Sequence, residues 1–108
     1  MDLNIYQKRA SETAVYAEDY KVMYPALGLA GEAGEVANKV KKVFRDGLDN
    51  LPENWKGNIA SEIGDVLWYC AALASDLGYN LEDIAEENLK KLSVRKKENK
   101  LKGSGDVR

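Results

Sequence analysis

The sequence predicts an all-α fold, a four-helix bundle, on three observations. Apolar residues recur at three- and four-residue steps in four separate stretches. No stretch makes a convincing strand. Only two prolines interrupt 108 residues, which leaves room for long helices. That length suits one domain with a modest core, expected over residues 1–102, with a disordered tail over 103–108.

The first helix is expected from Leu3 to Asp19, with Leu3, Tyr6, Ala10, Thr13, Ala14 and Ala17 on one stripe and Asp2 as its cap. A second runs from Tyr24 or Pro25 to Arg45. Proline is tolerated in its first turn, Lys41, Lys42 and Arg45 suit its negative end, and Gly47 suits C′. DGLDNLPENWKG is rich in turn formers and forms the longest break, either a plain loop or a flap over a site. The third helix is expected over Asn58 to Leu77, stopping near Gly78. Asn80 then caps a fourth, which carries Leu81, Ile84, Ala85, Leu89 and Leu92 on its apolar face.

Composition narrows the chemistry. A formal net charge of −2 exerts no global pull on nucleic acid or membrane, and no apolar run spans a bilayer. The N-terminus has no basic-then-apolar signal pattern, so a cytoplasmic location is expected. The single cysteine, Cys70, excludes an intrachain disulfide and falls on the apolar face of the third helix. The absence of histidine removes Ser-His-Asp arrangements and disfavours zinc. Chemistry here has to run on carboxylates, lysines and tyrosines, with or without a hard metal.

Two acidic pairs stand out. Glu32 and Glu35 lie three apart in GLAGEAGEVANKV, and Glu62 and Asp65 lie three apart in SEIGDVLWYC. Three-residue spacing puts both members of a pair on one helix face, where like charges repel. For the second helix alone, a solvated face is the simpler account, with Lys39 pairing to Glu35 at i+4. The third helix is apolar over nearly half its circumference, which puts its acids beside a cleft. Carboxylates held there must pair, take a proton or bind a cation. An all-oxygen donor set selects Mg²⁺, or Mn²⁺, and Mg²⁺ is commonly completed by substrate phosphates.

Gly28, Gly31 and Gly34 sit beside the first pair despite the cost of glycine in a helix, roughly 0.5–1 kcal/mol each. They leave room either for a neighbouring helix or for a phosphate–metal group. On the fourth helix Asn88, Lys91 and Arg95 share one side, as a polyanion would need. The same residues also fit a register-fixing amide and cations at a helix C-terminus.

LGLAGEAGEVANKVKK followed by SEIGDVLWYCAALA resembles the MazG-like nucleoside triphosphate pyrophosphohydrolase family, within the all-α NTP pyrophosphatase superfamily. IYQKRASETAVY is similar to its first helix, and LEDIAEENLKKLSVR to its Asn-x-x-Lys segment. The resemblance implies Mg²⁺-dependent cleavage of a nucleoside triphosphate to monophosphate and pyrophosphate, in nucleotide-pool house-cleaning. It makes Glu32, Glu35, Glu62 and Asp65 the metal ligands and associates Asn88 and Lys91 with substrate. It also implies a homo-oligomer that completes the bundle, a tetramer in preference to a dimer. A glutamate would take the proton of the attacking water, Glu35 before Glu32 because Lys39 stands beside it. Lys39, Lys91 and Arg95 are candidate phosphate clamps. Trp55, Trp68 and Tyr69 are candidates to stack on the base, with Trp68 better read as core packing. The alternatives are a dUTP/dUDP-type or phosphoribosyl-ATP-type pyrophosphohydrolase, or a helical module that binds nucleotide or metal without turnover. No nucleic-acid or membrane partner is expected.

Overall fold

The computed structural model describes residues 1–98, and the expected tail lies outside them. Four α-helices and two single 3₁₀ turns, at Glu18–Tyr20 and Leu48–Asn50, make up its regular structure, and no strand occurs among the described residues.

Helix α1 covers Leu3–Ser11 and starts as expected, with Asp2 Oδ1 accepting from the Ile5 N–H at 2.9 Å. It stops eight residues short of the expected Asp19. Its last turn tightens, with the Glu12 N–H bonding Arg9 O and the Thr13 N–H bonding Ala10 O. The Ser11 and Thr13 hydroxyls also donate to the carbonyls of Lys8 and Ala10. Such local bonds compete with helix continuation, and helical periodicity does not register them. The chain then crosses residues 12–22 as an irregular segment.

Helix α2, Met23–Asp46, buries Pro25 in its first turn and ends at Gly47. Helix α3, Trp55–Asp76, begins three residues earlier than expected, because Asn54 O already accepts from the Asn58 N–H. Gly78, at φ +81°, ends it in a Schellman motif: the Tyr79 N–H bonds Ala74 O and the Gly78 N–H bonds Ser75 O. Helix α4 covers Leu81–Lys97. Its expected cap acts differently. Asn80 donates to Asp83 Oδ2 at 3.3 Å, while the Leu81 N–H is taken by Gln7 Oε1 at 2.8 Å.

Helices α2 and α3 pack antiparallel along their length, so Val22 meets Asp76, Gly28 meets Tyr69 and Lys39 meets Asn58. Helix α1 lies on α3 and α4. The core is small: Ala10, Ala71, Ala74 and Leu81, with Leu3, Tyr6, Trp68 and Cys70 against it. Gln7 is buried within this layer and ties three elements, since its Nε2 donates to Ser75 Oγ and to Tyr79 O, each at 2.9 Å. Satisfied in this way, a buried amide fixes how α1, the α3–α4 turn and α4 meet. Several large apolar side chains remain exposed in the single chain, among them Leu27, Phe44, Ile63 and Leu67.

Candidate functional site

Where α2 and α3 run side by side, Glu32, Glu62 and Asp65 converge, with one carboxylate oxygen from each lying within 4.8 Å of the others. Glu32 and Glu62 are half-buried and Asp65 is exposed. Glu35 stands one turn further along α2, exposed and outside this trio, yet near enough that its charge adds to the field on Glu32.

Lys39 does not serve Glu35 along the helix. It crosses to α3, where its Nζ lies 2.9 Å from Glu62 Oε1 and 3.5 Å from Asn58 O. The two glutamates consequently titrate in opposite directions. A hydrogen bond from the Glu32 carboxyl to Glu62 raises the Glu32 pKa, helped by burial and by the charges of Asp65, Glu62 and Glu35. The hydrogen bond from Lys39, with that from Glu32, lowers the Glu62 pKa. The carboxyl of Glu32 is thus the one in this cluster that holds a proton more readily than an ordinary glutamate.

The donor set fits a hard divalent ion. Octahedral Mg²⁺ holds its oxygens at about 2.1 Å, so opposed donors stand about 4.2 Å apart. The trio's oxygens, all within 4.8 Å of one another, lie on that scale. Nitrogen and sulfur donors are missing from the cluster, which points away from zinc.

An aromatic series flanks the acids. Tyr69, one turn beyond Asp65, lies flat on Gly28, where a Cβ would fall on its ring. This accounts for one of the three glycines, while Gly31 and Gly34 meet nothing within 4 Å. Tyr24 lies beside Tyr69, with ring centroids 6.2 Å apart, and stacks on Tyr16 at 4.8 Å. Burial raises the Tyr69 pKa, as do its hydrogen bond with Tyr24 and the charges of Tyr24, Glu32 and Asp65, so the phenol stays neutral. Trp68 meets Tyr69 edge-on at 5.0 Å, packs against the core and donates from Nε1 to Thr13 Oγ1 at 2.8 Å. Tyr16, Tyr20, Tyr24 and Trp68 line a cavity of about 490 Å³. Trp55, the first residue of α3, instead lies under Lys56 Nζ, 5.6 Å from its ring centroid. Burial pushes the Cys70 thiol up, away from the reactive thiolate.

The α4 candidates are placed apart from the acids. Asn88 and Lys91 line a groove of about 460 Å³ with Tyr79, Asp83, Ile84 and Glu87, which includes none of the four carboxylates. Arg95 is buried rather than on the rim beside Lys91. Sequence reasoning missed Tyr16, Tyr24 and Asp76. A trace of the first two is legible as tyrosines at positions 16, 20 and 24, four apart, just ahead of the first acidic pair.

Residues 24–99 match the model of the MazG nucleotide pyrophosphohydrolase domain, a span holding all four acids together with Asn88 and Lys91. Over 114 aligned residues covering both chains completely, the protein is 43% identical to the Gene 37 protein of Mycobacterium phage L5, whose name states no activity. No solved structure matches. The all-helical frame, the acids converging from α2 and α3, and a domain match over most of the sequence agree: this chain belongs to the MazG nucleotide pyrophosphohydrolase family.

Proposed function

We propose that this chain is a Mg²⁺-dependent nucleotide pyrophosphohydrolase that cleaves a (d)NTP between its α and β phosphates, releasing (d)NMP and pyrophosphate. The observation that carries the reading is the convergence of Glu32, Glu62 and Asp65 from two helices, held beside a single lysine. Glu32, Glu62 and Asp65 would hold the ion, Mg²⁺ or Mn²⁺, and Glu35 would complete the set from its position one turn away. The bound ion would neutralise charge on the phosphates and acidify a water. Glu35, outside the tight trio, is the carboxylate best able to accept that water's proton. Glu32 is less suited, because its carboxyl is tied to Glu62 by a hydrogen bond. Lys39, held at the rim by Glu62, is placed to meet a phosphate oxygen. Tyr69 and the tyrosines beyond it offer ring faces to a base.

Asn88 and Lys91 enter this reading through assembly. They lie apart from the acids within one chain, while Leu27, Ile63, Leu67 and Phe44 leave the α2–α3 layer uncovered. A homo-oligomer, tetramer in preference to dimer, would bury that layer and bring α4 of one copy to the acids of another. Arg95, already buried, would support α4 rather than clamp phosphate. The role fits nucleotide-pool house-cleaning in the cytoplasm.

The test is a product analysis of the common nucleoside triphosphates and dUTP, with and without Mg²⁺. Monophosphate and pyrophosphate, formed only with the metal, are expected. Nucleoside diphosphate and phosphate as products would exclude α–β cleavage. Mg²⁺ and nucleotide binding without turnover would place the chain among non-catalytic modules.

A further inference from the structure

The segment between α1 and α2 ends in a conformation that its own sequence disfavours. Val22 has φ +68° and ψ −54°, and the Met23 N–H closes on Lys21 O at 2.8 Å. This is the rarer, strained form of the γ-turn, near about +75° and −65°. A β-branched residue at positive φ is a genuine outlier, and such strain persists only where the surroundings hold it. Here the holding group is visible. Asp76, the last residue of α3, accepts with one oxygen, Oδ2, from the Val22 N–H at 2.9 Å and from the Tyr16 hydroxyl at 2.7 Å. At the other end of the segment, Trp68 Nε1 grips Thr13.

Both groups held by Asp76 belong to the aromatic wall. Tyr16 is its outer ring, and Val22 sets where α2, and therefore Tyr24, begins. Tyr24 in turn lies beside Tyr69, which feels the charges of Glu32 and Asp65. A chain of contacts thus runs from Asp76 through Tyr16 and Tyr24 to Tyr69, which stands one turn from Asp65 on α3. The cavity along this wall, lined by Tyr16, Tyr20, Tyr24 and Trp68 and by none of the four carboxylates, has the volume of a small-molecule site, about 490 Å³.

We propose that Asp76 is a positioning residue for nucleotide recognition: by clamping Tyr16 and the strained Val22 amide, it fixes the aromatic wall against which the base of the substrate is read. The inference rests on the nucleotide reading above and extends it to specificity. Asp76 acts on the base end of the substrate only, while the phosphate end is held by groups that Asp76 does not contact.

The test is calorimetric binding of two probes to the full chain in the presence of Mg²⁺. One is the set of α,β-methylene analogues of adenosine, guanosine, cytidine and uridine triphosphate, which cannot be cleaved at that bond. The other is inorganic pyrophosphate, which has no base. In Asp76→Ala, affinity for the best-bound analogue should fall about tenfold, within the range for losing an aromatic stacking contact. Pyrophosphate affinity should stay within about twofold. Asp76→Asn keeps an oxygen that can accept both bonds and should recover most of the loss. If Asp76→Ala does not fold, Tyr16→Phe removes one hydroxyl, keeps the ring, and should weaken the analogue alone. Equal losses for both probes would make Asp76 a structural residue and overturn the proposal. So would unchanged analogue affinity, failure of Asp76→Asn to recover it, or a wild-type chain that binds no analogue. If the wild type binds an analogue but releases no pyrophosphate from true triphosphates, the catalytic reading fails while this one stands.

Discussion

Lys39 Nζ lies 2.9 Å from Glu62 Oε1, across the seam between α2 and α3 rather than along its own helix. With side chains 33% and 15% exposed, this pair is partly shielded, and its lysine is the cation that answers the acidic trio in the salt bridges of the described residues. Its position has two consequences of opposite sign. It offsets repulsion among the carboxylates, and in the proposed site it would compete with a metal for Glu62.

Lys39→Met should therefore lower thermal stability without metal by up to about 1 kcal/mol, the range of a partly exposed pair. It should also tighten Mg²⁺ binding several-fold at pH 8, because a repelling charge has gone. Turnover should fall even so, since the cation proposed to meet the phosphates is lost. Melting curves in EDTA, metal titrations and steady-state rates on one preparation separate these effects. Weaker Mg²⁺ binding in the variant would mean that Lys39 organises the site rather than competing for it.

Asp65→Asn removes one carboxylate from the trio and keeps its shape. Mg²⁺-dependent turnover is expected to drop at least about 100-fold, the scale of losing a group that stabilises transition-state charge. In EDTA the variant should melt higher than wild type, because one source of repulsion at Glu32 has been removed. Glu35→Gln should also abolish most activity, but with a smaller gain in melting temperature, since Glu35 lies outside the trio. Full turnover in either variant would refute the proposed centre.

The opposite shifts of Glu32 and Glu62 set a pH dependence. Glu32, with its folded pKa raised, favours the folded state below its unfolded pKa, and that contribution is lost as pH rises through the folded value. Glu62, with its pKa lowered, contributes above its unfolded pKa and loses this as pH falls through the folded value. In the proposed site a divalent ion would compete with protonation of Glu32, so Mg²⁺ affinity should begin to fall on acidification at a pH above the ordinary glutamate range. Calorimetry in two buffers of different ionisation enthalpy should detect proton release on binding in that window. Glu32→Gln should show none, and undiminished release in that variant would assign the proton elsewhere.

The legible and illegible parts of this protein divide along a physical line. Helical spacing, the glycine stops and the acid pairs are local in sequence, so α2, α3, α4 and the two acidic pairs were legible from three- and four-residue periodicity, but that Glu35 stands outside the convergence of Glu32, Glu62 and Asp65 was not. The cap of α4 and the partner of Lys39 are decided by groups distant in sequence, Gln7 on Leu81 and Glu62 on Lys39, while the end of α1 turns on local side-chain bonds that periodicity does not register. The i+4 rule assigned Lys39 to Glu35 because it considers one helix, and a second helix offered a better-placed carboxylate. Asp76 carries no motif at all. It becomes visible only when the strained Val22 is seen to rest on it.

The three glycines give a prediction about assembly. Gly28→Ala should destabilise by about 1–3 kcal/mol, because its methyl collides with the Tyr69 ring. Gly31→Ala and Gly34→Ala meet open space within one chain and should each stabilise by roughly 0.5–1 kcal/mol through helix propensity alone. Thermal melts, read beside sedimentation, check both. If either variant instead loses stability and dissociates into smaller species, the missing side chains make room for another copy.

The separation of Asn88 and Lys91 from the acids leads to a mixing experiment. If α4 of one copy completes the site of another, Lys91→Ala and Asp65→Asn chains carry complementary defects. Each alone should be nearly inactive. Unfolded together and refolded, they form mixed oligomers in which some sites draw an intact trio from the Lys91 variant and an intact Lys91 from the Asp65 variant. Partial recovery of turnover is expected, rising with the fraction of mixed species and absent when the two are mixed without subunit exchange. A mixture no more active than its components would mean that each site is built from one chain. Lys91 would then have to reach the acids by a movement of α4 within its own subunit.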